Sequence, residues 1–139
     1  RKRNPRKIYC VDHSLVRSIS SGVLVNKGHF LENLVYMALR RNSPDIFYYK
    51  TDNGKEVDFV VKREKAPAML IQVCETLADP QTRKREISAL DIAMKEMDLT
   101  SGVLVTGNEE ELIDTEQGKI SVQPAWKFLL EWDELFTSQ

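Results

Sequence analysis

Three side chains in the middle of the sequence, an acid, an amide and a thiol, are spaced as they would be in a reactive or ligand-binding site. Asp58 lies in the apolar run "KEVDFVVK", and Gln72 and Cys74 lie two residues apart in "AMLIQVCE". If the turn between these runs is centred near Lys65, Asp58 faces Gln72 and Glu56 faces Cys74 across an antiparallel hairpin. Because side chains alternate between the two faces of a strand, these polar residues then share one face. The hairpin therefore predicts a polar constellation built around an acid.

A polar group in a sheet covered by helices is costly unless hydrogen bonds, a metal ion or access to water offset its burial. Glu32, in "GHFLENLVYMALRR", neighbours the apolar stripe of a predicted helix and could point across the sheet toward Asp58. Two interpretations stay open. Either the polar face is solvated and Glu32 is an ordinary surface residue, or these residues form a site.

The helices that would position these residues follow from apolar periodicity. Apolar residues recur at helical spacing between Gly28 and about Arg41, before Pro44, which cannot continue a helix. Asp79 followed by Pro80 starts a second amphipathic helix, since proline is favoured at the first helical position. Further helices are predicted after Asp12 and from Pro124, where the last one carries Trp126, Phe128, Leu129 and Trp132.

Strands are predicted from β-rich runs bounded by turn residues. The turns "TDNG" and "REKAP" separate three runs at 46–50, 55–62 and 68–75, which form a meander. The long helix between the third run and the buried strand "GVLVT" makes a crossover, so those two strands are parallel. The prediction is an α/β fold, a mixed central sheet with flanking helices. A strand at 7–11 and two weaker strands around Gly118 complete it.

Composition excludes several classes of protein. The 139 residues suit one domain, and no apolar run is long enough to span a bilayer. The formal charge of −1 gives no global attraction to nucleic acid, which leaves the local basic runs at 1–7 and at Arg83, Lys84 and Arg85. Cys10 and Cys74 lack zinc-site spacing, so a reduced, cytoplasmic protein is predicted.

The order of these motifs resembles a known fold. A helix with Glu32, a hairpin with Asp58, a strand carrying Gln72 and a crossover helix resemble the PD-(D/E)xK, or restriction-endonuclease-like, fold. "GHFLENLVYMALRR", "YYKTDNGKEVDFVV" and "LIQVCETLADPQTRKREISAL" are similar to the uncharacterised C-terminal domain of bacterial and archaeal AAA-type ATP-binding proteins. The resemblance covers nearly the whole chain. It implies a segment at 1–26 that leads from an ATPase module and a nuclease-like domain at 27–139.

The resemblance also implies a site. Glu32, Asp58 and Gln72 match the positions that hold Mg²⁺ or Mn²⁺ in active members, and Cys74 takes the position of the lysine. Gln72 offers a neutral oxygen in place of a carboxylate, which weakens a site for a hard cation. Cys74 carries no positive charge at neutral pH and cannot replace a lysine beside phosphate. The pattern is therefore that of a vestigial site.

Three functions follow, and the sequence alone does not choose among them. The first is a catalytically degenerate domain that serves an AAA-type ATPase as a DNA-binding or protein-interaction module. The second is a working metal-dependent nuclease whose basic residue has moved, with four candidates in Lys50, Lys55, Arg83 and Lys84. The third is a structural domain that packs on its own ATPase module or in an oligomer. ATP binding would belong to the preceding module, because the sequence has no P-loop.

Overall fold

The computed structural model describes residues 27–43 and 45–137. The basic run at 1–7, the strand predicted at 7–11, Cys10, the helix predicted after Asp12 and the stop at Pro44 lie outside the described residues. The domain boundary placed between residues 26 and 27 stays a prediction.

Along the described residues, helices and strands follow one another in the predicted order. The helices are α1 (Lys27–Asn42), α2 (Pro80–Glu96) and α3 (Ala125–Thr137). The strands are β1 (Ile46–Lys50), β2 (Glu56–Val61), β3 (Met69–Val73), β4 (Ser101–Thr106), β5 (Glu111–Asp114) and β6 (Lys119–Pro124). The last helix begins at Ala125, because Pro124 still belongs to the strand before it.

The six strands form one mixed sheet in the order β1-β2-β3-β4-β6-β5. The meander β1-β2-β3 is antiparallel, whereas β3 and β4 are parallel, as the crossover through α2 predicts. β4 and β6 are also parallel, and β5 returns antiparallel along the outer edge of β6. The prediction of an α/β fold with a mixed sheet and flanking helices is confirmed.

Two apolar cores lie on opposite faces of the sheet. On one face, α1 and α3 pack through residues such as Val35, Leu39 and Phe128, and Trp132 donates its indole N–H to the Ala38 carbonyl oxygen at 3.1 Å. On the other face, α2 packs on the sheet; the buried members of this second core include Leu70, Leu90, Met94, Leu104 and Ile120. Helices therefore cover both faces, and polar side chains between them need partners.

The start of α2 sets the position of its polar side chains over β3. Asp79 caps the helix, and its Oδ2 accepts hydrogen bonds from the backbone N–H of Thr82 at 3.0 Å and from the Thr82 hydroxyl at 2.9 Å. These bonds hold the pKa of Asp79 below its usual value. No helix in the described part of the chain is both long and apolar enough to cross a membrane.

Candidate functional site

The hairpin of β2 and β3 has the predicted register only over part of its length. Phe59 pairs with Ile71 and Val61 pairs with Met69, as the turn centred near Lys65 predicts. The ladder then stops before Asp58. Beyond this point, the backbone N–H groups of Asp58 and Val73 bond to side chains instead of to the opposite backbone.

A β-bulge in β2 explains why the ladder stops. Phe47 of β1 pairs with Val60, and Tyr49 pairs with Val57, so two residues of β2 lie opposite Tyr48. The extra residue changes the alternation of faces. Val57 consequently packs with Val60 in the α2-side core, and the prediction that Val57 shares a face with Phe59 is wrong.

Gln72 bridges the opened ends of the two strands. Its Oε1 accepts a hydrogen bond from the backbone N–H of Asp58 at 2.8 Å, and its Nε2 donates to the Glu56 carbonyl oxygen at 3.1 Å and to Glu86 Oε1 at 2.7 Å. In return, Asp58 Oδ2 accepts the backbone N–H of Val73 at 2.9 Å. Side-chain amide and carboxylate groups thus replace the missing backbone bonds, and Gln72 is only 5% exposed.

These residues line an open cavity of about 390 Å³. Glu32 from α1, Asp58 from β2 and Gln72 from β3 all contribute to its wall, so the structure brings these three predicted residues together. Lys55 and Arg85 line it as well. Cys74 is not among the described residues that line the cavity.

Cys74 lies just beyond the end of β3 and packs against the α2-side core. Its Sγ donates to the Thr76 carbonyl oxygen at 3.2 Å. Partial burial and, secondarily, the negative charge of Glu86 raise the pKa of the Cys74 thiol. The thiol is therefore neutral near pH 7 and poorly nucleophilic.

Acidic side chains engage two of the three basic residues predicted to bind nucleic acid. Arg83 donates to both carboxylate oxygens of Glu111, at 2.9 and 2.6 Å. Arg85 contacts Glu86 Oε2 at 3.3 Å, while Lys84 is exposed. Glu86 was missed from the sequence, because only the packing of α2 shows that its side chain, 12% exposed, points at β3.

Negative charge concentrates beside the cavity around Tyr48. Burial raises the pKa of the Tyr48 phenol to about 12, and a hydrogen bond to Glu56 and the charges of Glu56 and Asp58 add to the effect. The phenol donates to Glu56, one of the acids in the cavity wall. Burial and these two neighbouring carboxylates therefore both disfavour a phenolate at Tyr48.

The chemistry open to this arrangement depends on its free ligand atoms. Among residues 27–43 and 45–137, no group of three or more His, Cys, Asp and Glu side chains is placed to hold a metal ion. The Gln72 carbonyl oxygen already accepts the Asp58 N–H, and Asp58 Oδ2 already accepts the Val73 N–H. Both polar atoms of Gln72 and Oδ2 of Asp58 thus join the strands to each other and β3 to α2.

Sequence comparison finds relatives over most of the chain. The model of the family described as "Domain of unknown function (DUF4143)" matches residues 27–128. The uncharacterized protein MJ1544 of Methanocaldococcus jannaschii is 35% identical over 136 residues, which cover 91% of this chain and 30% of that protein. This chain thus spans less than a third of the length of that relative.

Structural comparison finds a similar fold in a solved assembly. The similar chain belongs to a refined half-complex from a tetradecameric assembly of Thermococcus gammatolerans McrB AAA+ hexamers with bound McrC. The TM-score is 0.50 at 12% sequence identity, over 81% of this chain and 34% of that chain. At this identity the likeness shows the fold alone.

Proposed function

The chain belongs to the DUF4143 family, and on that premise we propose that it contributes a nuclease-like domain of the PD-(D/E)xK type that no longer catalyses and that serves an AAA-type ATPase as a protein-interaction module. The observation that carries the proposal is the bonding of Gln72. At the position where the resemblance places a metal ligand, both polar atoms of this side chain bind the protein itself.

The loss of catalysis follows from the hydrogen bonds that would break if Gln72 bound a metal ion. A Gln72 oxygen turned toward an ion would leave the Asp58 N–H without its acceptor, and an unpaired buried donor costs about 1–3 kcal/mol. In the described part of the chain, no three acids of the cavity wall are placed so that they could hold a metal ion together. The domain on this proposal holds no resident Mg²⁺ or Mn²⁺.

The link to an AAA-type ATPase has two supports. The order of the motifs resembles the C-terminal domain of such proteins, and the fold is similar to that of a chain in a complex of McrB AAA+ hexamers with McrC. ATP hydrolysis and oligomerisation would belong to the ATPase module rather than to the described domain.

Protein interaction is favoured over DNA binding by the charges of α2. Arg83 and Arg85 are both engaged by acids of the same domain, so they offer little to phosphate groups. Lys84 alone does not make a basic groove.

A cleavage assay tests the loss of catalysis. The purified chain is incubated with supercoiled plasmid and with single-stranded DNA in Mg²⁺ or Mn²⁺, beside an Asp58→Ala variant. We expect no cleavage by either protein and no change in melting temperature at millimolar metal, because a real ion site would stabilise the folded state by mass action. Metal-dependent cleavage that is lost in the variant would establish a working nuclease whose basic residue has moved.

A binding assay tests the interaction role. The ATPase module of the same parent protein is mixed with this chain, and complex formation is followed by light scattering after gel filtration. We expect a complex that survives nuclease treatment. Binding to DNA with a steep salt dependence, and none to the ATPase module, would reverse the choice of partner.

A further inference from the structure

We propose that the polar cavity is the docking site for a basic side chain from residues 1–26 of this same chain. The former catalytic cleft would then hold the segment that leads into the domain. This inference rests on the proposed function, because a working nuclease would keep the cavity for a metal ion and a phosphate group.

Charge complementarity is the first support. The chain has 20 Lys and Arg residues and 21 Asp and Glu residues, and residues 1–26 contain 6 of the basic residues but only one acid, Asp12. The remaining 113 residues therefore contain 14 basic and 20 acidic residues. The near-zero charge of the whole chain conceals a strongly basic segment joined to an acidic domain, and opposite charges of this size attract.

The charge of the cavity wall is the second support, since acidic side chains outnumber basic ones there as they do in the whole domain. Four carboxylates line it, from Glu32, Glu56, Asp58 and Glu86, against two cations, Lys55 and Arg85. Its volume of about 390 Å³ accommodates a long side chain such as that of arginine. Two of these carboxylates, Glu56 and Asp58, also act on the nearby Tyr48 phenol, where they add to the effect of burial in raising its pKa.

The position of the junction is the third support. The described chain begins at Lys27, in the first turn of α1, and Glu32 in the cavity wall follows five residues later. That separation is about 7 Å along a helix. Arg17, ten residues before the junction, can reach roughly 33 Å in an extended chain, so every basic residue of the segment has access to the cavity.

Nuclear magnetic resonance of the ¹⁵N-labelled full chain tests the docking. In one variant the six basic residues of the segment are replaced by glutamine, namely Arg1, Lys2, Arg3, Arg6, Lys7 and Arg17. We expect the backbone amide of Gly54 and the side-chain amide of Gln72 to shift relative to the wild type. The amide of Gly118, at the turn before β6, should not move.

A matched control changes the same amount of charge away from the cavity. Six exposed basic residues that do not line it are replaced by glutamine, namely Lys62, Arg63, Lys65, Lys84, Lys95 and Lys119. We expect the Gly54 and Gln72 signals to stay in place. Two partial variants, one changing only the basic residues at 1–7 and one changing only Arg17, serve if the six-fold segment variant does not fold.

Two results would overturn the inference. Unchanged cavity signals in all segment variants would mean that the segment does not dock there. Shifts that disappear on tenfold dilution of the wild type would assign the cavity to the segment of a second copy. Both outcomes leave the proposed function standing, which fails instead if the wild type cleaves nucleic acid with metal.

Discussion

Backbone N–H and C=O groups that the helices cover need hydrogen-bond partners, and the two halves of the sheet provide these partners in different ways. In the parallel half, β4 and β6 pair without interruption from Ser101 and Lys119 to Thr106 and Pro124. In the hairpin half, β2 and β3 pair over three residues each, after which Gln72 and Asp58 side chains bond to the opposite backbone. Polar side chains in a covered strand can therefore serve to complete the hydrogen bonding of the sheet as well as to bind a ligand.

The largest expected effect comes from removing the bridge in the hairpin half. Gln72→Leu leaves the Asp58 N–H, the Glu56 carbonyl and the Glu86 carboxylate without the partner that Gln72 supplies, and each buried unpaired group costs about 1–3 kcal/mol. We expect the free energy of unfolding in urea to fall by about 2–4 kcal/mol. The total is smaller than the sum of three full costs because water in the open cavity can bond to part of these groups. The control is Gln123→Leu in β6, whose amide donates to the Ser121 hydroxyl. Equal effects of both substitutions would remove the distinction between the halves.

A second substitution tests the close contact between the backbones of Gly118 and Thr100 in the parallel half. An added Cβ at Gly118 would collide with the carbonyl oxygen of Thr100, which also accepts the Lys119 N–H at 3.0 Å. Gly54 in the hairpin has a positive φ of 88° but open space where a Cβ would lie. We expect Gly118→Ala to lower the melting temperature more than Gly54→Ala, whose cost is about 1–2 kcal/mol from the left-handed backbone alone.

A smaller difference in unfolding free energy is expected between two carboxylates that accept hydrogen bonds from loop residues. Glu109 accepts from the Thr76 hydroxyl at 2.5 Å and from the Leu77 N–H at 3.0 Å, beside the ends of β3 and β4. Glu96, which is exposed, accepts from the Tyr49 hydroxyl at 2.6 Å and the Asp52 N–H at 3.0 Å in the hairpin. We expect Glu109→Ala to cost about 1–2 kcal/mol and Glu96→Ala about half as much, because solvent compensates more fully at the exposed residue. The measurement is chemical unfolding of both variants at pH 7.

The smallest effect appears only at high pH and belongs to the hairpin. The phenol of Tyr48 has a folded-state pKa of about 12 against 10.0 for the ordinary group, so the native state keeps its proton where the unfolded state loses it. Its contribution to stability is complete below pH 10 and is lost as the pH rises toward 12. We expect Tyr48→Phe to flatten the decline in unfolding free energy between about pH 10 and pH 12. A variant that declines as steeply as the wild type would contradict the raised pKa.

The elements of the fold were predictable because each has a local signal. The turns around Gly54 and Lys65 and the Asp79-Pro80 start mark the ends of elements, and the long crossover requires parallel strands on either side of it. Even the weak strand Glu111–Asp114 follows from the turn at Gly118. Apolar periodicity and turn chemistry are short-range properties, so one sequence suffices to show them.

The site was predictable only in part. The sequence brought Asp58 and Gln72 together, but "KEVDFVV" alternates so regularly that nothing in it signals the bulge opposite Tyr48. The partner of Gln72 on the helix, Glu86, depends on the rotation of α2 over the sheet. Likewise, the pairing of Arg83 with Glu111 joins residues from distant parts of the chain. Such contacts are set by packing, which local patterns do not encode.

The bonding of Gln72 restricts which side chains its position can accept. The substitution Gln72→Glu would place an acid at this position. It would set a second carboxylate against Glu86 and against the Glu56 carbonyl oxygen, to both of which the Gln72 amide now donates. A chain with that single change would lose stability before it gained any ligand for an ion. An acid at this position would therefore be tolerated only together with a change at Glu86, because the two side chains meet directly.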